Sequence, residues 1–306
     1  MPEKWSAMPE PPWRWLVLTL ALWFALPVAP SAWAASERLR LVPLTVTMPQ
    51  LGRQKRVWVY LPPGYHEAGR RYPVVYMLDG QDLFATPLRF VGDPYIQASM
   101  AEQLRRQLEV HGSWRVDAQL DRLHAEGKIP GVILVGVSSA DANRTAEYSP
   151  WPWRDAPQPE GARFARFLVE TLKPLIDDRF RTLPDRCHTG IMGSSMGGVM
   201  ALYTGLRHPD VFARVGAFSP LLTPRVFGDR LRDYLTGYRR GDDMRIYVDL
   251  GREEAGFGPL RPVRDALLEA GFGMHELWFR EGVRGGHRMR YWGERFPVAL
   301  LWLMNF

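Results

Sequence analysis

The stretch Gly193-Ser194-Ser195-Met196-Gly197-Gly198 carries the residue types for nucleophilic chemistry. A serine hydroxyl is a poor nucleophile at neutral pH. It needs a base to take its proton and donors to stabilise the charge that attack creates. A strand-like run over 187–192 precedes the stretch, and a helix-like run over 199–206 follows it. Gly-x-Ser-x-Gly between strand and helix forms a sharp, strained turn that lifts the serine side chain above the sheet edge. Gly193 and Gly197 omit the two Cβ atoms that would clash in that turn. The unpaired N–H groups at the start of the helix then face the place where negative charge develops.

The elements that must position this serine alternate along the chain. Residues 39–47 and 53–61 read as strands around a hairpin turn at 48–52, with Val57, Val59 and Leu61 alternating against Trp58 and Tyr60. Residues 72–78 and 131–137 are continuous apolar runs, as expected of strands buried on both faces of a parallel sheet. Further strands are expected over 212–218, 245–250 and 275–280. Helices are expected over 96–108, 116–124, 164–178 with Pro174 kinking or ending it, 226–235, 261–269 and 292–304. A long polar loop through Arg144, Glu147, Tyr148 and Trp151-Pro152-Trp153 is expected after the 131–137 strand. Strands alternating with helices predict an α/β fold, a mostly parallel central sheet with helices on both faces and an antiparallel N-terminal edge.

In such a sheet, sites form beyond the carboxyl ends of the strands. Asp79-Gly80-Gln81 follows the third strand and Ser195 the fifth; Ser219, then Glu253 and Glu254, and finally Gly285-Gly286-His287 follow the later ones. The chain therefore offers nucleophile, acid and histidine in that order, the order Ser…Asp/Glu…His. Histidine is the side chain type best suited to act as a base near neutral pH, and His287 is the one at a strand end.

These residues resemble the esterase branch of the α/β-hydrolases, a group that includes feruloyl and acetyl-xylan esterases, S-formylglutathione hydrolases, siderophore esterases and mycolyltransferases. The matching stretches are 59–65, 73–81, 144–150, 189–198, the Leu250-Gly251 corner, and Gly285-Gly286-His287 with Trp292. The resemblance spans residues 40–306. It implies Ser195 as nucleophile, His287 as base and the backbone N–H groups of Gln81 and Met196 as an oxyanion hole. For the orienting acid it implies Glu254 first and Glu253 second, since adjacent carboxylates point in different directions. Arg144, Tyr148, Trp151 and Trp153 are candidates for the substrate-binding surface. The expected reaction is hydrolysis of a small-molecule carboxylic ester, a feruloyl or acetyl ester or a siderophore trilactone, through an acyl-enzyme. An acyltransferase and a non-catalytic ligand-binding protein on the same scaffold are the alternatives.

Composition sets the remaining expectations. The 306 residues are 46% hydrophobic, enough for one large α/β core, and no repeat or internal boundary divides residues 35–306. Lys4 and Arg14 precede an apolar run over 15–26, and Ala32-Trp33-Ala34 follows. Residues 1–34 thus read as a secretory signal cleaved after Ala34, because the apolar run is shorter than the roughly 20 residues that span a bilayer. The mature protein is expected in the periplasm or outside the cell, without a membrane anchor. Cys187 is the only cysteine, so no internal disulfide forms, and it is expected to be a buried small apolar group. The net charge of +6 is scattered rather than clustered, and no nucleic-acid partner is expected. With no His-Glu-x-x-His and no Cys/His cluster, neither metal nor cofactor is expected.

Overall fold

The computed structural model describes residues 40–67, 69–84, 112–139, 143–223, 227–238 and 243–306. The expected signal segment 1–34 and the helix over 96–108 lie outside the described residues. The described chain opens with β1 (Leu41–Met48) and β2 (Arg53–Tyr60), joined by a 3-10 turn at Pro49–Leu51. Then come β3 (Val74–Leu78) and β4 (Ile133–Val137), every residue of which is buried, with helix α1 (Val116–Ala125) between them. A short helix α2 (Arg144–Glu147) leads to α3 (Gly161–Arg166), a π-helical turn (Phe167–Leu172) and α4 (Lys173–Arg179). The remainder is β5 (Thr189–Ser194), α5 (Met196–Arg207), β6 (Arg214–Phe218), α6 (Asp229–Leu235), β7 (Arg245–Gly251), α7 (Arg261–Glu269), β8 (Leu277–Val283) and α8 (Met289–Met304).

The strands form one eight-stranded sheet in the order β1-β2-β4-β3-β5-β6-β7-β8. β1 pairs antiparallel with β2, and β2 antiparallel with β4; all later pairings are parallel. This is the antiparallel edge on a parallel sheet that the run patterns predict. Apolar residues of α1 and α8, among them Leu120, Phe296 and Leu303, pack on one face. Those of α3 to α7, among them Phe164, Leu202, Leu231 and Val263, pack on the other. Burying the sheet on both sides is what demands the continuous apolar runs of β3 and β4. After β3 the chain passes through α1 on the first face; after β5 it enters α5 on the second. The adjacent ends of β3 and β5 are thus a switch point, the kind of place where sites form in open α/β sheets.

One local expectation is narrowed and two are corrected. Of the two outcomes expected at Pro174, a kink or an end, the helix does not end there: a π turn shifts the hydrogen-bond register just ahead of it, and Pro174 occupies the first turn of α4. The long polar loop expected around Arg144 is interrupted by one helical turn, Arg144–Glu147, and Glu147 and Tyr148 are fully buried. Cys187 is half-buried within a 3-10 turn ahead of β5, with its thiol 3.5 Å from Asp243 Oδ2, rather than enclosed among apolar groups.

Candidate active site

Ser195 sits between β5 and α5 with φ 55° and ψ −123°, a conformation that a residue with a side chain rarely adopts. The surroundings enforce it. Its N–H donates to Phe218 O at 3.0 Å, and its carbonyl accepts the N–H groups of Val199 and Leu221, each at 3.2 Å. A Cβ on Gly193 would overlap the Gly197 carbonyl, so the turn closes only with glycine there. The Ser195 side chain is partly exposed, above the strand end.

Across the switch point, Asp79 leaves β3 in the left-handed region at φ 57°, followed by a single 3-10 turn over Gly80–Asp82. Gly80 lies against β4, where a Cβ would come within 2.5 Å of the Gly136 carbonyl carbon. The Gln81 side chain anchors the turn: its Nε2 donates to Ser139 Oγ at 2.8 Å, and its Oε1 accepts the Ser139 N–H at 3.1 Å. The backbone N–H groups of Gln81 and Met196 have no acceptor among the described residues. Burial pushes the neighbouring Asp82 carboxyl up to about 7, aided by the Asp79 charge and opposed by Arg144 and the Gln81 amide.

His287 and Glu254 meet at the ends of β8 and β7. His287 Nδ1 lies 2.9 Å from Glu254 Oε1. Glu254 Oε2 accepts the Ser219 hydroxyl at 2.7 Å and the Gly251 N–H at 2.5 Å. Glu254 is 2% exposed, whereas Glu253 is exposed and makes no hydrogen bond to the imidazole. Burial disfavours the Glu254 charge, but hydrogen bonds from His287, Ser219 and Gly251 outweigh it and hold the carboxyl below its ordinary pKa. The imidazole stacks on Phe257, with centroids 4.1 Å apart and planes at 13°, and meets the edge of Trp292 at 4.9 Å. With Nδ1 facing the carboxylate, Nε2 has no hydrogen-bond partner among the described residues. Among the described residues, Ser195 Oγ makes no hydrogen bond to the imidazole in this conformation.

The four candidate substrate-binding residues have other partners. Arg144 makes a two-pronged ion pair with Asp79, Nε to Oδ1 and Nη2 to Oδ2, each 2.8 Å. Tyr148 is fully buried; its hydroxyl accepts the Asp79 N–H at 3.0 Å, so it lies beneath the turn rather than in a wall facing solvent. Trp151 packs against Tyr203, Phe227 and Tyr234. Trp153 packs against Phe227 and donates to Ser149 Oγ at 2.8 Å.

Sequence reasoning listed Ser219 at a strand end but gave it no role, and it missed Asp249 and Arg295. Ser219 Oγ accepts from Trp292 Nε1 and Arg295 Nη2, both at 3.0 Å. With both lone pairs engaged, its proton points to Glu254. Arg295 Nη1 lies 3.2 Å from Asp249 Oδ1, and Tyr247 donates to Asp249 Oδ2 at 2.8 Å. Burial pushes the Asp249 carboxyl up to about 6, against the pull of Arg295. Trp292 stood out only through the resemblance; Arg295 lies in an apolar helix, where an arginine 7% exposed carries no local signal.

A family model described as "Putative esterase" matches residues 48–303. The iron(III) enterobactin esterase of Dickeya dadantii is 26% identical over 315 residues, covering 92% of this chain and 61% of that protein. An uncharacterised Bacillus subtilis protein, YbbA, is 22% identical over 264 residues, covering 81% of this chain and 92% of that one. Among solved structures, a ferulic acid esterase superposes with a TM-score of 0.60 at 22% identity, covering 87% of this chain and 98% of that one. The enterobactin esterase of Shigella flexneri superposes with a TM-score of 0.62 at 20% identity, covering 88% and 60%. With the match running over nearly all of the described sheet, this chain belongs to the Putative esterase family of the α/β-hydrolase fold.

Proposed function

We propose that this chain is a serine carboxylic-ester hydrolase acting through an acyl-enzyme on Ser195. The observation that carries the reading is the pairing of a partly exposed His287 with the buried Glu254, at the same sheet edge as a serine held in a strained strand-to-helix turn. In this reading the substrate carbonyl enters beside Ser195, and its oxygen takes the N–H groups of Gln81 and Met196. His287 Nε2 comes within reach of Oγ, as catalytic hydrogen bonds often do only once substrate is bound. Oγ attacks the carbonyl carbon while the imidazole takes its proton. Glu254 holds the imidazole by Nδ1 and stabilises the imidazolium. The imidazolium then gives its proton to the departing alcohol. Water, activated by the same imidazole, releases the acid and restores Ser195.

A phosphonate probe followed by peptide mapping tests the nucleophile. The expected outcome is one adduct, on Ser195; a folded protein that takes up no probe would favour a ligand-binding role. Ser195→Ala and His287→Ala should each lower nitrophenyl-acetate cleavage by several orders of magnitude, on the order of 10⁶-fold where the residues act as one unit. The relatives named for enterobactin and ferulic acid point to ester substrates of those classes. A panel of feruloyl, acetyl and siderophore-trilactone esters ranks them. Ester exchange that dominates at low concentrations of added alcohol would reassign the protein as an acyltransferase.

We also propose that residues 1–34 direct export to the periplasm or beyond. The basis is the basic start, short apolar run and Ala-Trp-Ala of the sequence. N-terminal sequencing of the protein recovered from its host should begin at residue 35, and a retained Met1 would reject export by this segment.

A further inference from the structure

The Asp79 carboxylate sits in an awkward place for an esterase. Asp79 directly precedes Gly80-Gln81, and it is 5% exposed. Its Oδ2 lies against the first turn of α5, 3.1 Å from where a Cβ on Gly197 would stand. The carboxylate thus adjoins both segments whose N–H groups are assigned to the oxyanion, Gly80-Gln81 and Met196-Gly197. A carboxylate at a helix N-terminus draws on the same positive end that an oxyanion would use. Left uncompensated, it would repel the charge that develops during attack, and a second carboxyl, Asp82, lies on the same turn. Only Arg144 makes a two-pronged ion pair with Asp79 among the described residues. Arg144 itself lies over the Tyr148 ring, 5.1 Å from its centroid, and Tyr148 holds the Asp79 N–H. Arg144, Tyr148 and the left-handed turn are therefore joined by these contacts into one unit.

We propose that Arg144 is a positioning residue of the oxyanion site: its guanidinium neutralises Asp79 and holds the Asp79-Gly80-Gln81 turn so that the Gln81 N–H faces the reacting carbonyl. This rests on the assignment of Ser195 and the two N–H donors made above. The two-pronged geometry matters as well as the charge, because a planar fork fixes both carboxylate oxygens and a lysine fixes one. The role differs from binding the substrate's own anionic group. A substrate-binding arginine would act mainly on KM, and only for charged esters; a positioning arginine acts on kcat, for neutral esters too.

The test uses the whole chain, neutral nitrophenyl acetate and three variants. Arg144→Met, which removes the guanidinium paired with Asp79 and leaves only the more distant charge of Lys55, should lower kcat by roughly 10²-fold, comparable to losing one oxyanion donor, with little change in KM. Arg144→Lys should fall between it and the wild type. The Asp79→Asn/Arg144→Met double variant, in which the uncompensated charge is gone, should recover roughly tenfold of the lost kcat. Three results would overturn the proposal: a raised KM with kcat kept in Arg144→Met, wild-type kcat in that variant, or a double variant no faster than Arg144→Met. If Arg144→Met does not fold, as judged by circular dichroism, the comparison of Arg144→Lys with wild type and with Asp79→Asn/Arg144→Lys takes its place. Phosphonate labelling of wild-type Ser195 separates the two levels. A wild type that is not labelled removes the esterase reading itself; a labelled wild type with an unaffected Arg144→Met removes only the role of Arg144.

Discussion

Glu253 and Glu254 have the same chemistry and adjoining places in the chain, yet only one reaches the imidazole. The backbone of Glu254, at φ −117° and ψ 28°, turns its side chain inward at the start of a 3-10 turn, where the Gly251 N–H and Ser219 hydroxyl await it. Glu253 is exposed and lies against the Gly286 backbone, with no hydrogen bond to the imidazole. Glu254→Gln should therefore lower kcat far more than Glu253→Gln, on the order of 10⁴-fold if the amide disturbs the histidine tautomer as an acid-to-amide change does in a serine protease. Steady-state kinetics on nitrophenyl acetate decide it, and the reverse ranking would reassign the acid. Two adjacent carboxylates were legible in the sequence as candidates. Which one turned inward was not, because the choice depends on the backbone torsions of a loop and on Ser219, a partner 35 positions away.

At the scale of elements, the site is made where strands end. The turn after β3 carries Asp82, whose folded pKa is pushed up to about 7 from the ordinary 3.8, mainly by burial. Between those values the folded chain holds a proton that the unfolded chain has released. Stability therefore falls as pH rises through the window from about 4 to about 7, and this contribution is level above it. Asp82→Asn abolishes the titration. Its Tm relative to wild type should climb from pH 4 to pH 7 and then stay constant; a difference independent of pH would show that Asp82 titrates normally. The strand and helix positions themselves were largely readable from apolar periodicity, and α7 coincides with its expected bounds. The errors fell where local pattern is weak. A proline was absorbed by a π turn, and a polar-looking segment proved to be buried because its charges are paired.

At the scale of the whole molecule, a charged cluster fastens the antiparallel edge to the segment that bears Arg144. Lys55 of β2 and Glu147 of α2 form a buried ion pair, 2% and 0% exposed, and Arg53 lies 3.3 Å from the same carboxylate. Burial lowers the Lys55 pKa against the pull of Glu147. Removing one partner of such a pair strands the other, so Lys55→Met should cost about 3–5 kcal/mol in urea unfolding. A loss below about 1 kcal/mol, the range of an exposed pair, would mean that Arg53 alone satisfies Glu147.

From the sequence alone came the α/β class, the antiparallel edge, the strained serine turn and the short set of strand-end residues that chemistry requires. These depend on periodicities of two and 3.6 residues and on glycines in sharp turns, all of which are local in the chain. Only the folded chain decided that Glu254 meets His287, that Ser219 passes the hold of Trp292 and Arg295 to that carboxylate, and that Arg144 faces Asp79. Each of those contacts joins residues more than 30 positions apart. Hydrogen bonds and ion pairs act over a few ångströms, so their partners become defined only once the sheet has set the strand ends side by side.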